Sequence, residues 1–404
     1  MADQFAVHWP FKQPKAGRGL RKSALHDRWV AAGAHFGLTG GWERGLWYAE
    51  TAEEASLPYS VAAPHPWQQI AEREAAAMEE GCALIDLSPF GKFDVIGYEA
   101  LEALQELACA NLDVAEGRAV YTPLLNAMGG IEADVTITRL GEHAFRITSA
   151  AATRWRDAAF LRRHLAGRAD LQDVTEDYSV IGVMGAASRR LLEGLSEGDW
   201  TAFLFSTARP MTVAEKSVLA TRLSFVGELG WELTIRNDDA PVIFDALLAS
   251  GARPMGHYAL EACRIEKGFH AWGHDLGPEV TPLEAGLGFT IDWSKPFIGK
   301  DALEAQRAKG LSRRLVLMEV DAGALILHDE PVWANGEVVG LTTSGGIGAR
   351  TGLTLAFAMI ETEPGETLGQ TCERRFELEV GARRYAARSL RRPPFDPDGQ
   401  RMRA

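Results

Sequence analysis

At 404 residues the chain is too long for a single hydrophobic core and is expected to divide into two or three domains. A hydrophobic fraction of 46% and a charged fraction of 24% are those of an ordinary globular protein, and a formal net charge of −13 argues against a nucleic-acid binder, whose footprint is a basic face. No apolar run of about 18 residues occurs and the amino terminus lacks a charged-then-apolar signal, so a cytoplasmic protein is expected, with neither nucleic acid nor membrane as partner.

Residues 1–63 read as an irregular arm that carries Trp29, Phe36, Trp42, Trp47 and Tyr48 to bury against a larger body. The region 64–300 mixes strands, helices and hairpins. A helix is predicted from Pro66 to about Glu80, strands at 83–87 and 92–96, and a helix from Ala100 to about Ala110. Strands follow at 119–126 and 134–140 around the turn Ala127-Met128-Gly129-Gly130, then a strand at 145–148, a helix at 152–165 and a strand at 179–184. Helices are predicted at 240–248 and 257–267. A crossover at 293–300 leads to a helix at 301–309 and to a carboxy-terminal region, 310–395, whose short strands read as a small β-barrel. The mixture favours α+β lobes over a doubly wound sheet. The basic, proline-containing tail from Arg391 is expected to fray.

Three stretches carry candidate chemistry. In Phe225-Val226-Gly227-Glu228-Leu229-Gly230-Trp231-Glu232-Leu233, glycines permit a tight turn and Glu232 leaves it on a strand. That carboxylate either is solvated on a surface hairpin or accepts two parallel N–H bonds from a flat, guanidine-like edge. In Gly129-Gly130-Ile131-Glu132-Ala133-Asp134 a glycine turn, able to bring backbone close to a ligand, feeds an aspartate at a strand start; Asp134 is either a turn residue or a site carboxylate. In Arg264-Ile265-Glu266-Lys267-Gly268 the three charges read as a solvated helix face. His270 and His274 are four apart, but Gly273 interrupts a helix there and no metal site is expected. Cys82, Cys109, Cys263 and Cys372 show no paired spacing, and no GxGxxG, GxxxxGK[ST] or GxSxG motif occurs, so the chemistry must belong to a bound cofactor. Trp42, Trp47, Trp231, Trp272 and Trp293 flank these motifs either as core filling or as an aromatic box for a methylated cation.

In chain order, Phe90-Gly91-Lys92-Phe93, Tyr121-Thr122-Pro123-Leu124-Leu125-Asn126, the two glycine-containing motifs above, Arg264 to Gly268, Trp272-Gly273-His274, 281–288 and Thr342-Thr343-Ser344-Gly345 resemble the glycine-cleavage T-protein family of tetrahydrofolate-dependent aminomethyltransferases. They look most like the folate-binding half of dimethylglycine and sarcosine dehydrogenases, and the segment 19–28 resembles the linker into that half. The resemblance implies a three-domain cloverleaf of two ferredoxin-like lobes and a carboxy-terminal β-barrel, with tetrahydrofolate in a central channel. It implies Asp134 near the reacting nitrogens, Glu232 gripping the pterin, Tyr121 and Leu124 lining the pterin pocket, Phe225 where the family usually has tyrosine, Arg264 near the glutamate tail, and Trp272 beside the ligand. The absence of a flavin half in this sequence leads to the expectation of a demethylase that moves an intact methyl from a small N-, S- or O-methylated donor to N5 of tetrahydrofolate. One alternative is aminomethyl or methylene transfer with a separate flavin-dependent oxidoreductase or a lipoyl carrier. The other is a non-catalytic folate-binding assembly factor, against which stands Phe297-Ile298-Gly299-Lys300, where such proteins carry a cysteine.

Overall fold

The computed structural model describes residues 12–58 and 65–404, so the start of the arm, its last residues, 59–63, and residue 64 lie outside the described residues. In chain order α1 (His26–Ala31), β1 (Ala34–Thr39) and β2 (Trp42–Tyr48) precede α2 (Gln68–Glu80) and β3 (Ala83–Asp86). Next come β4 (Gly91–Ile96), α3 (Ala100–Leu107), β5 (Ala119–Leu125), β6 (Ile131–Gly141), β7 (Ala144–Ser149), α4 (Arg154–Leu165) and β8 (Asp170–Asp173). A second run follows: β9 (Tyr178–Met184), α5 (Ser188–Gly194), β10 (Ala208–Val213), β11 (Lys216–Thr221), β12 (Gly230–Arg236), α6 (Ala240–Ala249) and β13 (Arg253–Pro254). The remainder is α7 (His257–Glu266), α8 (Lys300–Lys309), β14 (Arg313–Val320), β15 (Pro331–Ala334), β16 (Glu337–Ile347), β17 (Thr354–Glu361), α9 (Leu368–Thr371), β18 (Phe376–Val380), β19 (Arg383–Ser389) and α10 (Gln400–Arg403). Among the described residues no helix is long and apolar enough to cross a membrane.

The chain forms two compact units. The first holds the described residues up to Phe90, Thr175–Cys263 and Asp398 to the end. Its sheet has the order β10-β11-β12-β9-β3-β13. One face buries Trp231, Leu233 and Ile235, which alternate along β12, against Trp200, Phe203, Ile243 and Phe244. The arm is not irregular: β1 and β2 form a hairpin across Gly40 and Gly41, both at positive φ (55° and 84°), the geometry that a two-residue turn between right-twisted strands requires. Its Trp29 meets Phe244 edge-on at 4.5 Å within the same core.

The second unit holds Gly91–Val174 and Arg264–Pro397. Its five-stranded sheet has the order β5-β6-β7-β4-β8, an antiparallel ferredoxin-like arrangement with β5 added at one edge. Ala100, Ala103, Leu104 and Leu107 recur at helical spacing and set one face of α3 into its core, with Ala133, Val135 and Ile137 of β6 opposite. The two ferredoxin-like runs share one element order, βαβββαβ, and one strand order, except that β3 is inserted between β9 and β13 in the first unit. Strands β14 to β19 close into a six-stranded barrel in the order β14-β17-β16-β15-β18-β19.

The charged run at the end of α7 is buried, not solvated: Arg264 is 3%, Glu266 0% and Lys267 5% exposed. Within the second unit, Glu266 accepts from Arg350 Nε at 2.5 Å and from Thr351 N at 3.0 Å, and Lys267 pairs with Asp396 at 2.9 Å. The tail from Arg391 is therefore tied down: Phe395 lies under the Arg350 guanidinium at 3.4 Å and its N–H donates to the Glu266 carbonyl. The close approach of Gly130 is to protein, since a Cβ there would meet the Pro278 carbonyl oxygen at 1.7 Å. Because both members of the Glu266–Arg350 pair are enclosed, removing one leaves an uncompensated buried charge. Arg350→Met is expected to lower the unfolding free energy of the second unit by about 3–5 kcal/mol; urea denaturation followed by tryptophan fluorescence measures it, and a loss under about 1 kcal/mol would contradict the assignment.

Candidate functional site

Glu232 sits in the middle of a sheet, not on a surface hairpin. Gly227 takes a φ of +80° to turn the chain, and β12 then runs between β11 and β9. The neighbouring glutamate, Glu228, is buried and held by Arg401 Nε at 3.0 Å. Glu232 lies on the face opposite Trp231, Leu233 and Ile235, in register with Gly182 on one side and Thr221 on the other. Gly182, directly across, contributes no side chain to that face, and Leu87, Ile85 and Met184 fill the space instead, to within 3.2–3.5 Å of where its Cβ would stand. Glu232 is half-buried and has no hydrogen-bond or ion-pair partner among the described residues. Desolvation alone raises its pKa to about 7. The carboxyl is thus desolvated, with no donor among the described residues to offset the cost.

In the second unit Asp134 lies on β6, the counterpart of β11 and not of β12. Ile131, Ala133, Val135 and Ile137 of β6 point to the core, so Asp134 projects from the opposite face. Tyr121, on the adjacent strand β5 and diagonal to it in register, donates its hydroxyl to Asp134 Oδ2 at 3.2 Å. Desolvation raises the Asp134 pKa to about 6; the Tyr121 hydroxyl opposes the rise and the nearby Asp157 carboxylate adds to it. The Tyr121 hydroxyl is in turn pushed well above its ordinary value, first by burial and then by Asp134.

The other expected residues are placed as follows. Leu124 is 1% exposed and belongs to the core with Ala133 and Val135, so it supports the sheet from behind and does not line a pocket; strand alternation puts it on the face opposite Tyr121. Phe225 is 36% exposed, in the turn before β12. Arg264 is enclosed, with Nη1 donating to Asp275 Oδ2 at 2.8 Å and to the Phe269 carbonyl at 3.1 Å. Asp275 also accepts from Ala271 N at 2.9 Å, Thr343 Oγ1 at 2.6 Å and Ser344 Oγ at 2.7 Å. Against complete burial, which would raise it, Arg264 and these donors hold its pKa below the ordinary value. This fixes the loop bearing Trp272, whose Nε1 donates to the Ile131 carbonyl on β6 at 3.3 Å. His270 is also buried, and burial lowers its pKa to about 4.

The aromatic-box reading does not hold, because the protein's own groups cover these rings. Arg156 lies over Trp272 at 4.0 Å, Arg307 over Trp293 at 4.1 Å and His35 on Trp47 at 3.8 Å, while Trp231 is buried near Arg222. Arg156 and Asp157, absent from the sequence-based candidates, are additional neighbours of the Asp134 region. The available signal was two cations, Arg154 and Arg156, in the first turn of α4, where the helix dipole disfavours positive charge.

Comparison with known proteins identifies the family. Residues 25–295 match the GCVT N-terminal domain and residues 313–396 the glycine cleavage T-protein C-terminal barrel domain. The chain is 40% identical over 99% of its length to 4-methylaminobutanoate oxidase (formaldehyde-forming) of Paenarthrobacter nicotinovorans, and 32% identical over its whole length to mitochondrial sarcosine dehydrogenase of Homo sapiens. It spans about half of each of these relatives, 49% in both cases. An aminomethyltransferase of Picosynechococcus is 32% identical over 93% of the chain and 98% of its own length. The structure matches the glycine cleavage system aminomethyltransferase T of Bartonella henselae with a TM-score of 0.80 over 93% of this chain and 98% of that one, at 23% identity, a likeness of fold. The chain belongs to the glycine-cleavage T-protein family, a family of tetrahydrofolate-dependent one-carbon transferases.

Proposed function

We propose that Glu232 grips the pterin of tetrahydrofolate and that Asp134 manages the proton at its reacting nitrogens. The observation that carries this reading is a half-buried Glu232 on a central strand, its carboxyl desolvated and without a hydrogen-bond or ion-pair partner among the described residues. The aminopyrimidinone edge presents two parallel N–H donors, the complement that such a carboxylate lacks. Bound tetrahydrofolate supplies the nucleophilic nitrogens. Asp134, half ionised near pH 6, takes up a proton as the new bond forms, and the Tyr121 hydroxyl keeps its carboxylate oriented. Arg264 acts at one remove from the ligand, through Asp275 and the Trp272 loop.

We infer further that the donor is the one-carbon unit of an N-methylated amino acid, delivered at the formaldehyde oxidation level by a flavin-dependent oxidoreductase. Support comes from the names of the relatives, an oxidase of 4-methylaminobutanoate and dehydrogenases of sarcosine and dimethylglycine. Direct transfer of an intact methyl to N5 is the second reading, favoured by Phe225, which lacks the hydroxyl that its usual tyrosine would bring beside the folate. Incubating the chain with tetrahydrofolate and either formaldehyde or methyl donors separates the two. Enzyme-dependent 5,10-methylene-tetrahydrofolate is expected, and 5-methyl-tetrahydrofolate from a methyl donor would establish the second reading.

Glu232→Ala is expected to weaken tetrahydrofolate binding at least a hundredfold in isothermal titration, whereas Asp134→Ala spares binding and lowers turnover, by roughly a hundredfold or more for a lost general base. Unchanged affinity in Glu232→Ala would remove the pocket assignment. The sign of the pH dependence follows from the raised pKa. Folding disfavours ionised Glu232, a cost absent at low pH and fully present above about pH 7, and two ligand N–H groups offset it. Affinity should therefore rise from pH 6 to 8 with release of a proton on binding. Titration in buffers of different ionisation enthalpy reads that proton, and its absence would contradict the role.

A further inference from the structure

The Arg156–Trp272 pair is not accounted for by the roles above. Arg156 stands in the first turn of α4, where the helix dipole opposes a cation, and it is held there by two contacts. Its guanidinium lies over the Trp272 ring at 4.0 Å, and Nε and Nη2 both reach Asp157 Oδ1, at 3.4 and 3.2 Å. Nη1 donates to nothing among the described residues, and 37% of the side chain is exposed. Its neighbour Arg154, in the same turn, is by contrast closed off: 6% exposed and paired with Asp173 at 2.9 Å.

The surroundings link this cation to the strand of Asp134. Trp272 is anchored through Nε1 to the carbonyl of Ile131, three residues before Asp134 on β6. Asp157, which Arg156 touches, is close enough to Asp134 to raise its pKa. Stacking on an indole restrains a guanidinium in its plane while leaving its N–H edge to face outward, an arrangement suited to a planar carboxylate and wasted on a point charge. A single weakly placed acceptor oxygen from Asp157 leaves that edge incompletely satisfied.

We propose that Arg156, stacked on Trp272, is a carboxylate-recognition subsite beside Asp134, a specificity-determining contact for a ligand carboxylate. The inference rests on the folate-dependent reading of the Asp134 region. The carboxylate comes either from the glutamate of tetrahydrofolate or from an amino-acid donor, and one titration series distinguishes them.

Wild type, Arg156→Gln and Arg156→Lys are titrated with tetrahydrofolate, with 6-methyltetrahydropterin, which lacks the glutamate, and, in the presence of saturating 6-methyltetrahydropterin, with sarcosine and with dimethylamine. If the folate tail is the ligand, Arg156→Gln should lose about tenfold to a hundredfold in tetrahydrofolate affinity and nothing for 6-methyltetrahydropterin, the scale of a charge-assisted pair. If the donor carboxylate is the ligand, the preference for sarcosine over dimethylamine should fall by the same factor while both pterins bind unchanged. Arg156→Lys should retain the charge but lose the bidentate fork, giving an intermediate value. The ligand pairs serve as internal controls for folding, because a general loss of structure would weaken both members equally. Equal weakening of both members, or unchanged preferences in Arg156→Gln with wild-type tetrahydrofolate binding intact, overturns the subsite alone. Failure of the wild type to bind any pterin overturns the folate reading itself.

Discussion

The carboxylate of Asp275 is the constraint on which the second unit's site depends. It is fully enclosed and accepts four donors: a guanidinium from the end of α7, a backbone N–H from its own loop, and two hydroxyls from barrel strand β16. A buried charge without such donors would be expelled or neutralised, so the four groups must converge for the unit to close. Their convergence fixes the 271–275 loop, and with it the ring of Trp272 against β6. The parallel pairs Glu266–Arg350 and Lys267–Asp396 extend the same principle to the barrel loop and the tail. Three charges in four residues thus act as a junction of α7, barrel and tail within one unit.

That junction also explains where the sequence was legible. Alternation of apolar residues gave β6 and β12, helical spacing gave α3 and α4, and turn glycines marked the approach to both carboxylates; these are local patterns, complete within about ten residues. The burial of Glu266 and Lys267 was not local. Their partners lie 84 and 129 residues away, and a run of charges at a helix end has the same composition whether solvated or paired. The expected fraying of the tail failed for that reason, since Phe395 and Asp396 become anchors only when Arg350 and Lys267 arrive. The arm's hairpin was a different kind of omission: Gly40-Gly41 between two strand-like segments is a local turn signal, obscured by the density of tryptophan around it.

Glycine roles show how a correct residue can carry a wrong reason. Gly129 does turn the chain at positive φ, but Gly130 is required because the Pro278 carbonyl occupies the space of its Cβ, not because a ligand approaches. Gly182 drew no notice in the sequence, lying inside an apolar strand, yet it stands directly opposite Glu232 and leaves room there for the side chains of Ile85, Leu87 and Met184. Cross-strand register, which decides that, is invisible until the sheet order is known.

The two ferredoxin-like runs repeat one element order, and each projects a carboxylate from the face of its sheet opposite the core. Burial raises the pKa of both, to about 6 for Asp134 and about 7 for Glu232, but the surroundings differ in kind. Asp134 has a hydroxyl donor to stabilise its charge and a carboxylate neighbour to oppose it, so its affinity for a proton is set by opposing influences that small movements can shift. Glu232 has neither, and among the described residues no group donates to its oxygens. A group tuned by neighbours suits proton transfer, where the pKa must match the working pH; a group with empty acceptor positions suits recognition, where the ligand must supply the donors. The two acids stand on different strands of the repeat, Asp134 on the counterpart of β11 and Glu232 on the counterpart of β7, and their neighbours, Tyr121 diagonal to Asp134 and Gly182 opposite Glu232, separate their chemistry.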